Sequence, residues 1–272
     1  MIENTSSCQR VIGIRDKIES IPRAMRHMGW AVSAELMEHW LHGAAWVLPH
    51  EWKSINPPDP RTLSPSQVNM HAVRMSWALS HGHVAMAMTR LRAKMANGPA
   101  RELLRKRMSG AAWGTSNRVA FGSKDHTAIQ LEATCQSNIE LFGDNLGTMD
   151  DLYGSLGKAA MKVVLIGEAT RDARTGRISL QVTHAGYYIR DTYDFEGFQY
   201  LGTWTKDGVL SKGQMLMNAA SNGMVFRWGG EPIGNIFNKD FDTYRCQTGY
   251  GGDFIIYSDV HWEPVSLLLD LG

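Results

Sequence analysis

The sequence has few of the features that assign a chain to a class at once. Its three cysteines, Cys8, Cys135 and Cys246, are far apart and form no CxxC spacing, so at most one intramolecular disulfide can form. A net charge of +1 gives no reason to expect nucleic acid as a partner. No run approaches the ~18 apolar residues needed to span a bilayer. These absences favour free thiols in a reducing compartment and no transmembrane segment.

The N-terminal stretch 1–17 carries early charges and lacks an apolar h-region, so no Sec signal peptide is predicted. We therefore expect synthesis in the cytoplasm, with any export by a route that needs no cleavable signal. The motifs GxGxxG, GxxxxGK[ST] and HExxH are missing as well, which leaves nucleotide binding and zinc proteolysis without a sequence basis. The reaction class therefore has to be sought in looser groupings of residues.

Helical periodicity and capping signals concentrate before residue 110, and glycine-punctuated strand patterns follow it. We predict a polar arm over 1–20, a helical region over 21–110 and a β-rich region over 111–272, within one compact unit. The predicted fold class is α+β. In it the helical N-terminal part packs on an antiparallel, partly barrel-like sheet formed by the C-terminal part.

Local patterns predict individual elements. Ser64-Pro65-Ser66-Gln67 fits a capping box and predicts a helix that runs to about Ser80. Residues 127–142 alternate partly and fit strands, and a helix fits them as well. β-branched content predicts strands, with a polar turn at Gly176 between the first two: Lys162–Ala169, Ile178–Val182, Met224–Trp228, Ile233–Phe237 and Asp253–Ser258.

The stretch Gly186–Trp204, GYYIRDTYDFEGFQYLGTW, draws attention because two aromatic runs flank an acidic segment. Its centre, Glu196-Gly197, fits a two-residue hairpin turn. Acidic side chains beside aromatic residues on a strand are unusual unless they are exposed, paired or used in chemistry.

Asp191 and Asp194 can supply a carboxylate pair for acid/base work or for holding a divalent cation. The alternative is structural, with Arg190 paired to one aspartate at a sheet edge and the other aspartate capping the turn. His184 and His261 lie in the β region and reach this segment if their strands pair suitably. The candidate catalytic residues are Asp191, Tyr193, Asp194, His184 and Arg190.

A second group of polar residues lies near the glycines of Asn238–Asp259. The loop Gly249–Asp253 can cradle an anion through backbone N–H groups, or it is a β-turn or bulge that enters a strand. The candidate binding residues are Arg245, Asp253 and Trp204. The sequence offers no metal-ligand set.

Four phrases spread along the chain together resemble an uncharacterised bacterial family: IPRAMRHMGWAVSAELMEHW, DDLYGSLG, GYYIRDTYDFEGFQYLGTW and GYGGDFIIYSDV. Members of that family occur near type VI secretion genes, notably those of the VgrG spike. The resemblance implies an effector or an accessory of that secretion system. It implies a VgrG-type spike or adaptor as a partner, an immunity protein as a second partner, and export by type VI secretion.

Asp191-x-Tyr193-Asp194 is also similar to the Asp-x-Tyr-Asp motif of colicin M-like bacteriocins, which hydrolyse lipid-linked peptidoglycan precursor in a β-rich domain. That family has a His-Arg pair shortly after the motif, and this chain has none there. Three hypotheses follow: a toxin that hydrolyses a component of the cell envelope, a non-enzymatic effector that binds an envelope component or receptor, and a cargo or adaptor that docks on the spike.

Overall fold

The computed structural model describes residues 13–54, 57–113, 115–143, 149–211 and 231–272. In this part of the chain, helices and a mixed sheet that curves as a half-barrel form an α+β fold, which confirms the predicted fold class. The predicted strand Met224–Trp228 and Cys8 lie outside the described residues.

The chain forms two compact units, and each is assembled from two segments that are far apart in sequence. Unit 1 consists of Met1–Trp46 and Phe195–Gly252, and unit 2 of Val47–Asp194 and Asp253–Gly272. Both units contain residues from either side of residue 110, where the composition changes.

In the described residues the helices are, in chain order, α1 (Ile14–Glu19), α2 (Ile21–His27), α3 (Ala31–His42), α4 (Met75–Ala78), α5 (Gly82–Lys94), α6 (Gly98–Met108), α7 (Ala128–Thr134), α8 (Asp151–Leu156) and α9 (Asn238–Thr248). The strands are β1 (Val68–Asn69), β2 (Arg118–Phe121), β3 (Gln136–Phe142), β4 (Ala159–Arg171), β5 (Ile178–Tyr193), β6 (Tyr200–Thr205), β7 (Gly208–Val209), β8 (Pro232–Phe237), β9 (Phe254–Tyr257) and β10 (His261–Asp270). None of these helices is long and apolar enough to cross a membrane.

Unit 1 has an aromatic core. The Trp40 ring of α3 lies 5.2 Å from the rings of both Phe195 and Phe241 and 5.9 Å from that of Tyr244. Gly251 backs onto the same indole with a φ of +94°, and a Cβ at this position would overlap the ring. Glycine is therefore required here for both its conformation and its size. A small antiparallel sheet of β7, β6 and β8 completes the described part of the unit.

The strands of unit 2 form one sheet among the described residues, in the order β1-β9-β5-β4-β2, with β10 also paired to β5 and β3 to β4. The short pair β1–β9 is parallel and the other pairs are antiparallel, so the sheet is mixed where an antiparallel one was predicted. β4 and β5 are joined by the predicted polar turn. In this turn Asp172 accepts hydrogen bonds from the N–H groups of Arg174 and Thr175, and Gly176 has a φ of +72°.

From Ala185 to Arg190, β5 is buried on both faces, because successive side chains of a strand point to opposite sides of the sheet and all of them are buried here. Tyr188 and Arg190 point to one face, together with their cross-strand partners Lys162 of β4 and Tyr257 of β9. Tyr187 points to the other face, where its hydroxyl lies 3.7 Å from the Met95 sulfur. The side chains of Tyr188, Arg190, Lys162 and Tyr257 thus form a buried polar layer on one face of the sheet.

The hairpin predicted around Glu196-Gly197 is not formed. β5 ends at Tyr193 and pairs with β4, β9 and β10, whereas β6 begins at Tyr200 and pairs with β7 and β8 in the sheet of unit 1. At its end β5 takes β9 as its neighbour, and the rings of Tyr193 and Phe254 stack with centroids 5.0 Å apart. This long-range pairing replaces the local one that the turn residues suggested.

The helix predicted from Ser64 to about Ser80 is wrong in extent. The Ser64 N–H does donate to Oε1 of Gln67 over 2.9 Å, but this contact closes only a 3-10 turn at Pro65–Gln67. The following strand β1 pairs with β9, and α4 begins only at Met75. Pairing with a distant segment overrides the helix signal.

Candidate active site

The residues predicted to be catalytic lie along β5 in unit 2. Asp191 and Tyr193 are among the last three residues of this strand, and Asp194 follows directly after it. Strand alternation alone would direct Asp191 and Asp194 to opposite faces. Because the strand ends at Tyr193, Asp194 leaves that alternation, and its charge acts on the Asp191 carboxyl.

Asp191 is half-buried, and its Oδ1 accepts a hydrogen bond from the Thr192 N–H over 2.9 Å. Burial raises the pKa of the Asp191 carboxyl well above its usual range, and the negative charge of Asp194 raises it further. The Thr192 N–H and the Arg190 guanidinium oppose this shift without cancelling it. Asp191 is thus the carboxyl group at this strand end that favours the protonated form.

Asp194 has a different environment. Its Oδ1 lies 2.7 Å from Nζ of Lys53, which belongs to the 3-10 turn His50–Lys53, and both side chains are partly buried. A lysine at this distance attracts the carboxylate and donates a charge-assisted hydrogen bond to it. The two aspartates at the end of β5 therefore differ in their surroundings, because Asp194 faces a lysine and Asp191 accepts a backbone N–H.

Arg190 pairs with neither aspartate, which corrects the structural alternative. Its Nε lies 3.5 Å from Oε1 of Glu132 on α7, and its Nη2 donates to the Trp52 carbonyl over 2.8 Å. Arg190 and Asp191 are neighbours on a strand, so their side chains leave from opposite faces, and the guanidinium enters the polar buried layer.

That layer contains a charged group that we call the Glu132 cluster: Glu132, Lys162, Tyr188, Arg190 and Tyr257. The Glu132 carboxylate receives Nζ of Lys162 at 2.9 Å and the Tyr188 hydroxyl at 3.1 Å. Every member is at most 7% exposed, so one carboxylate is shared by two cations that are almost entirely shielded from water. Buried charges persist only when they are paired and hydrogen-bonded in this way.

The electrostatics of the cluster follow from burial. Desolvation lowers the pKa of Lys162, against the attraction of Glu132, and the neighbouring Arg190 lowers it further. Burial also raises the pKa of Tyr188 well above its usual range, and the Glu132 charge adds to that shift. Burial and the Glu132 charge raise the pKa of Tyr257 as well. Both phenols therefore remain neutral; the Tyr188 hydroxyl donates to Glu132, and the Tyr257 hydroxyl accepts from Nε of Arg190.

The other predicted catalytic residues are less closely grouped. Tyr193 is buried against Phe254, and burial raises the pKa of its phenol. His184 lies seven residues before Asp191 on the same strand, a distance of about 23 Å along β5, and its ring packs edge-on against Trp262. His261 pairs with Tyr187 of β5 and lies 3.9 Å from Glu263. The pairing of the strands thus holds both histidines away from the strand end.

The predicted binding residues divide between the two units. In unit 1, Nε of Arg245 donates to the Gly251 carbonyl over 2.7 Å, and the guanidinium lies over the Trp40 ring. Trp204 is 5% exposed and meets Trp30 edge-on, so it is a core residue of unit 1. In unit 2, Asp253 is buried and accepts the Leu48 N–H over 2.9 Å. Arg245 and Asp253 thus hold backbone segments in place.

Sequence reasoning missed the partners that give β5 its electrostatics, namely Glu132, Lys162 and Lys53. A signal was present for two of them. Lys162 is a lone cation next to the β-branched run Val163–Ile166, and Glu132 is the only charge in AIQLEAT of α7. Charged residues are rarely buried unless they are paired, so a lone charge in each of two apolar segments hints at a buried ion pair.

Among the described residues, no group of three or more His, Cys, Asp or Glu side chains is arranged to hold a metal ion. The end of β5 carries two carboxyl groups in unequal surroundings, since burial raises the pKa of Asp191 and Asp194 lies 2.7 Å from Nζ of Lys53. Pairs of titratable groups with unequal surroundings are a common arrangement for an acid and a base.

Comparison with known proteins gives a family without an activity. The sequence pattern of a family of unknown function (DUF6402) matches residues 17–269. No curated protein and no solved structure matches the chain. Since the matched region covers almost the whole sequence, the chain belongs to the DUF6402 family of unknown function.

Proposed function

We propose that the chain is a type VI secretion-associated effector that hydrolyses a component of the cell envelope of a neighbouring bacterium. One observation carries the hydrolytic part of this proposal. Asp191 and Asp194 lie at the same strand end, and burial raises the pKa of Asp191 while the Asp194 carboxylate lies 2.7 Å from Nζ of Lys53. General acid–base catalysis needs such a division of roles between two carboxyl groups.

In the proposed reaction Asp194 accepts a proton from a water molecule, and the oxygen of that water attacks the electrophilic centre of the substrate. The bond to the leaving oxygen breaks, and Asp191 gives its proton to that oxygen. Lys53 positions the base through the 2.7 Å contact. Arg190 is a positioning residue, because it ties β5 to the Glu132 cluster.

The secretion part of the proposal rests on the four phrases that resemble a family encoded near VgrG genes. It adds a VgrG-type spike or adaptor as the carrier, an immunity protein in the producing cell, and export by the type VI route. These partners remain proposals, and the reaction is argued from the two carboxyl groups alone.

The test compares Asp191→Asn and Asp194→Asn with Asp125→Asn, an exposed aspartate of unit 2. Each variant is expressed in the cytoplasm or with a periplasmic leader, and growth inhibition and melting temperature are measured. We expect folded proteins in all three cases and loss of toxicity for the first two only. Full toxicity of a folded Asp191→Asn or Asp194→Asn protein would eliminate this strand end as the active site.

The pH dependence of stability tests the charge state of Asp191 independently of activity. Its pKa is higher in the folded than in the unfolded chain, so between the two values the native state holds a proton that the unfolded state has lost. Stability therefore falls as pH rises through that window. Asp191→Asn cannot ionise, and we expect it to become more stable than the parent as pH is raised above about 4. Parallel stability curves for the two proteins would contradict the assignment.

A second candidate function, binding without catalysis, is favoured by one observation in unit 1. Phe198 is 83% exposed and Tyr200 is 43% exposed, and their rings lie 5.7 Å and 5.3 Å from the ring of Phe237. Exposed aromatic groups of this kind mark binding surfaces. If binding is the function, Phe198→Ser abolishes toxicity, while Asp191→Asn and Asp194→Asn retain it.

A further inference from the structure

Three aromatic rings meet at one end of the small sheet in unit 1. Tyr200 of β6 and Phe237 of β8 are cross-strand partners, and their rings lie 5.3 Å apart. Phe198, two residues before the start of β6, adds a ring on the other side of Phe237, and both Phe198 and Tyr200 are exposed. We call these three rings the aromatic platform. Rings grouped in this way offer an apolar surface to a flat ligand.

A chain of hydrogen bonds begins at the platform and ends at an amide group. The Tyr200 hydroxyl lies 2.5 Å from Oγ1 of Thr203, and the Thr203 hydroxyl donates to Oδ1 of Asn235 over 2.6 Å. Since a threonine hydroxyl has a single proton, Tyr200 is the donor in the first of these bonds. Asn235 is exposed, and its Nδ2 forms no hydrogen bond to the residues that the structure describes. Its two protons are therefore available to a ligand beside the platform.

The loop that carries Phe198 is held in place by the first residue of α9. Asn238 donates its backbone N–H to the Gln199 carbonyl over 3.0 Å and its Nδ2 to the Glu196 carbonyl over 2.6 Å. These two bonds fix the loop on either side of Phe198 and use no side chain of the platform. A surface that is formed in advance loses less conformational entropy when a ligand binds.

The composition of this surface favours a neutral ligand with one apolar face. None of the five residues of the platform and the hydrogen-bond chain is Asp, Glu, Lys or Arg. Nucleic acids bind through cations that neutralise their phosphates, so they fit this surface poorly. A sugar ring has a face of C–H groups, which meets the negative face of an aromatic ring, and a rim of oxygens that accept hydrogen bonds. The platform and the Asn235 amide supply both partners.

We propose that the aromatic platform binds a neutral glycan chain of β-linked, N-acetylated sugars of the glucose type. The ring substituents of these sugars lie close to the ring plane, which leaves both faces as C–H surfaces for the three aromatic rings. Asn235 donates from Nδ2 to the carbonyl oxygen of an N-acetyl group, and the bonds from Tyr200 through Thr203 polarise that amide. The inference rests on the second candidate function, binding without catalysis, and names its ligand.

The test titrates the purified full-length protein with chitotetraose, a chain of N-acetylglucosamine units, in a calorimeter. We expect binding whose Kd does not change with salt concentration, because the ligand is uncharged. Cellotetraose has the same linkage and ring faces without the N-acetyl groups. It should bind at least about tenfold more weakly, a difference of about 1.4 kcal/mol in binding free energy. In saturation-transfer NMR, the ring C–H protons of chitotetraose should receive magnetisation from the aromatic protons of the protein.

Protein variants separate the rings from the amide. Phe198→Ala should weaken chitotetraose binding at least about tenfold and reduce the saturation of the ring C–H protons. Asn235→Asp keeps the acceptor for Thr203 and removes the amide donor, so it should weaken the binding of chitotetraose and leave that of cellotetraose unchanged. Tyr250→Ala is the matched control, because Tyr250 is 52% exposed in unit 1 and lies outside the platform, and it should leave the Kd unchanged.

Four results would overturn the proposal. They are no binding of chitotetraose, equal binding of cellotetraose, an affinity that falls as salt is raised, and an unchanged Kd in folded Phe198→Ala.

The same measurements distinguish failure of the glycan assignment from failure of the proposed functions. Asp191→Asn and Asp194→Asn should bind chitotetraose as the parent protein does, whatever the outcome for the hydrolase. If chitotetraose does not bind and Phe198→Ser still abolishes toxicity, binding stands as the function, with a protein surface as the ligand, and the glycan assignment fails. If chitotetraose binds and Phe198→Ser remains fully toxic, the glycan assignment stands, and binding is eliminated as the cause of toxicity.

Discussion

The cores of the two units are built from different kinds of side chain. Unit 1 packs aromatic rings: Phe195 and Phe241 stack with centroids 3.6 Å apart, and Trp40 meets both edge-on. Unit 2 buries the Glu132 cluster under its sheet, with two cations and one carboxylate shielded from water. Rings contribute mainly through buried area and contact, whereas buried ions have to be matched group by group.

This difference shows where each unit tolerates change. The aromatic core of unit 1 should lose stability when a side-chain volume changes, because its stability depends on close packing. The Glu132 cluster of unit 2 should lose stability when one partner is removed, because the remaining charge stays buried and uncompensated. Burial also shifts the pKa values of ionisable groups in unit 2, among them those of Asp191 and Lys162.

The largest effect is expected from Glu132→Ala, which leaves Lys162 and Arg190 buried without their carboxylate. Removing one partner of a buried ion pair costs about 3–5 kcal/mol. Urea denaturation measures the loss, and Glu168→Ala, which removes an exposed pair with Arg118, is the control, with an expected loss below about 1 kcal/mol. Similar losses for both variants would mean that the cluster is no more demanding than a surface pair.

In unit 1 the corresponding change is one of volume. Gly251→Ala places a Cβ against the Trp40 indole at a position with a φ of +94°, and we expect a loss of about 3 kcal/mol from overpacking and backbone strain. Gly249→Ala separates the two causes, because its φ is +73° but nothing lies within 4 Å of the added carbon. It should cost only about 1–2 kcal/mol. Equal losses in thermal denaturation would show that the ring contact is unimportant.

Removal of one tyrosine hydroxyl in each unit should have a smaller effect, and it compares the two units directly. Tyr188 and Tyr244 each donate a hydrogen bond of 3.1 Å to a glutamate, Glu132 in unit 2 and Glu19 in unit 1, but only the first pair is fully buried. Tyr188→Phe should cost about 1.5–3 kcal/mol, as expected for a bond to a charged group, and Tyr244→Phe about 0.5 kcal/mol. A reversed order in chemical denaturation would contradict the contrast drawn between the cores.

The smallest expected effect is none at all. Cys135 is buried in unit 2, Cys246 is exposed in unit 1, and both are free thiols. Reductant should therefore leave the melting temperature unchanged in differential scanning calorimetry. A fall of several degrees would show that a disulfide forms, with Cys8 as one of its partners.

The sequence predicts individual secondary-structure elements better than it predicts which strands pair. The polar turn at Gly176 and the strands beside it follow from local patterns, because turn residues and β-branched runs act within a few positions. The capping contact of Ser64 is also present, yet its helix is not, because the next residues pair with β9 nearly 190 positions away. Local sequence patterns indicate which secondary structures a segment can form, and pairing with distant segments determines which of them it does form.

The candidate site shows the same limit. Asp191 and Asp194 stand out in the sequence because they are acidic residues among aromatic ones, but their partners do not. Lys53 lies 141 positions from Asp194, and Glu132 lies 58 positions from Arg190. The sequence therefore suggests an ion pair of Arg190 with one of the nearby aspartates, whereas strand alternation directs the Arg190 side chain to the face opposite Asp191.

The interleaving of the two units affects how the chain is made. β5 gains its neighbours β9 and β10 only from Asp253–Gly272, after the whole second segment of unit 1 has been synthesised. At about 5–20 residues per second, the ribosome exposes the β4–β5 hairpin with an unpaired edge for roughly 4–15 s. Unpaired edges join with other chains, so the nascent protein is more prone to aggregate than the finished one. Faster translation of the segment after residue 194 should therefore raise the soluble yield.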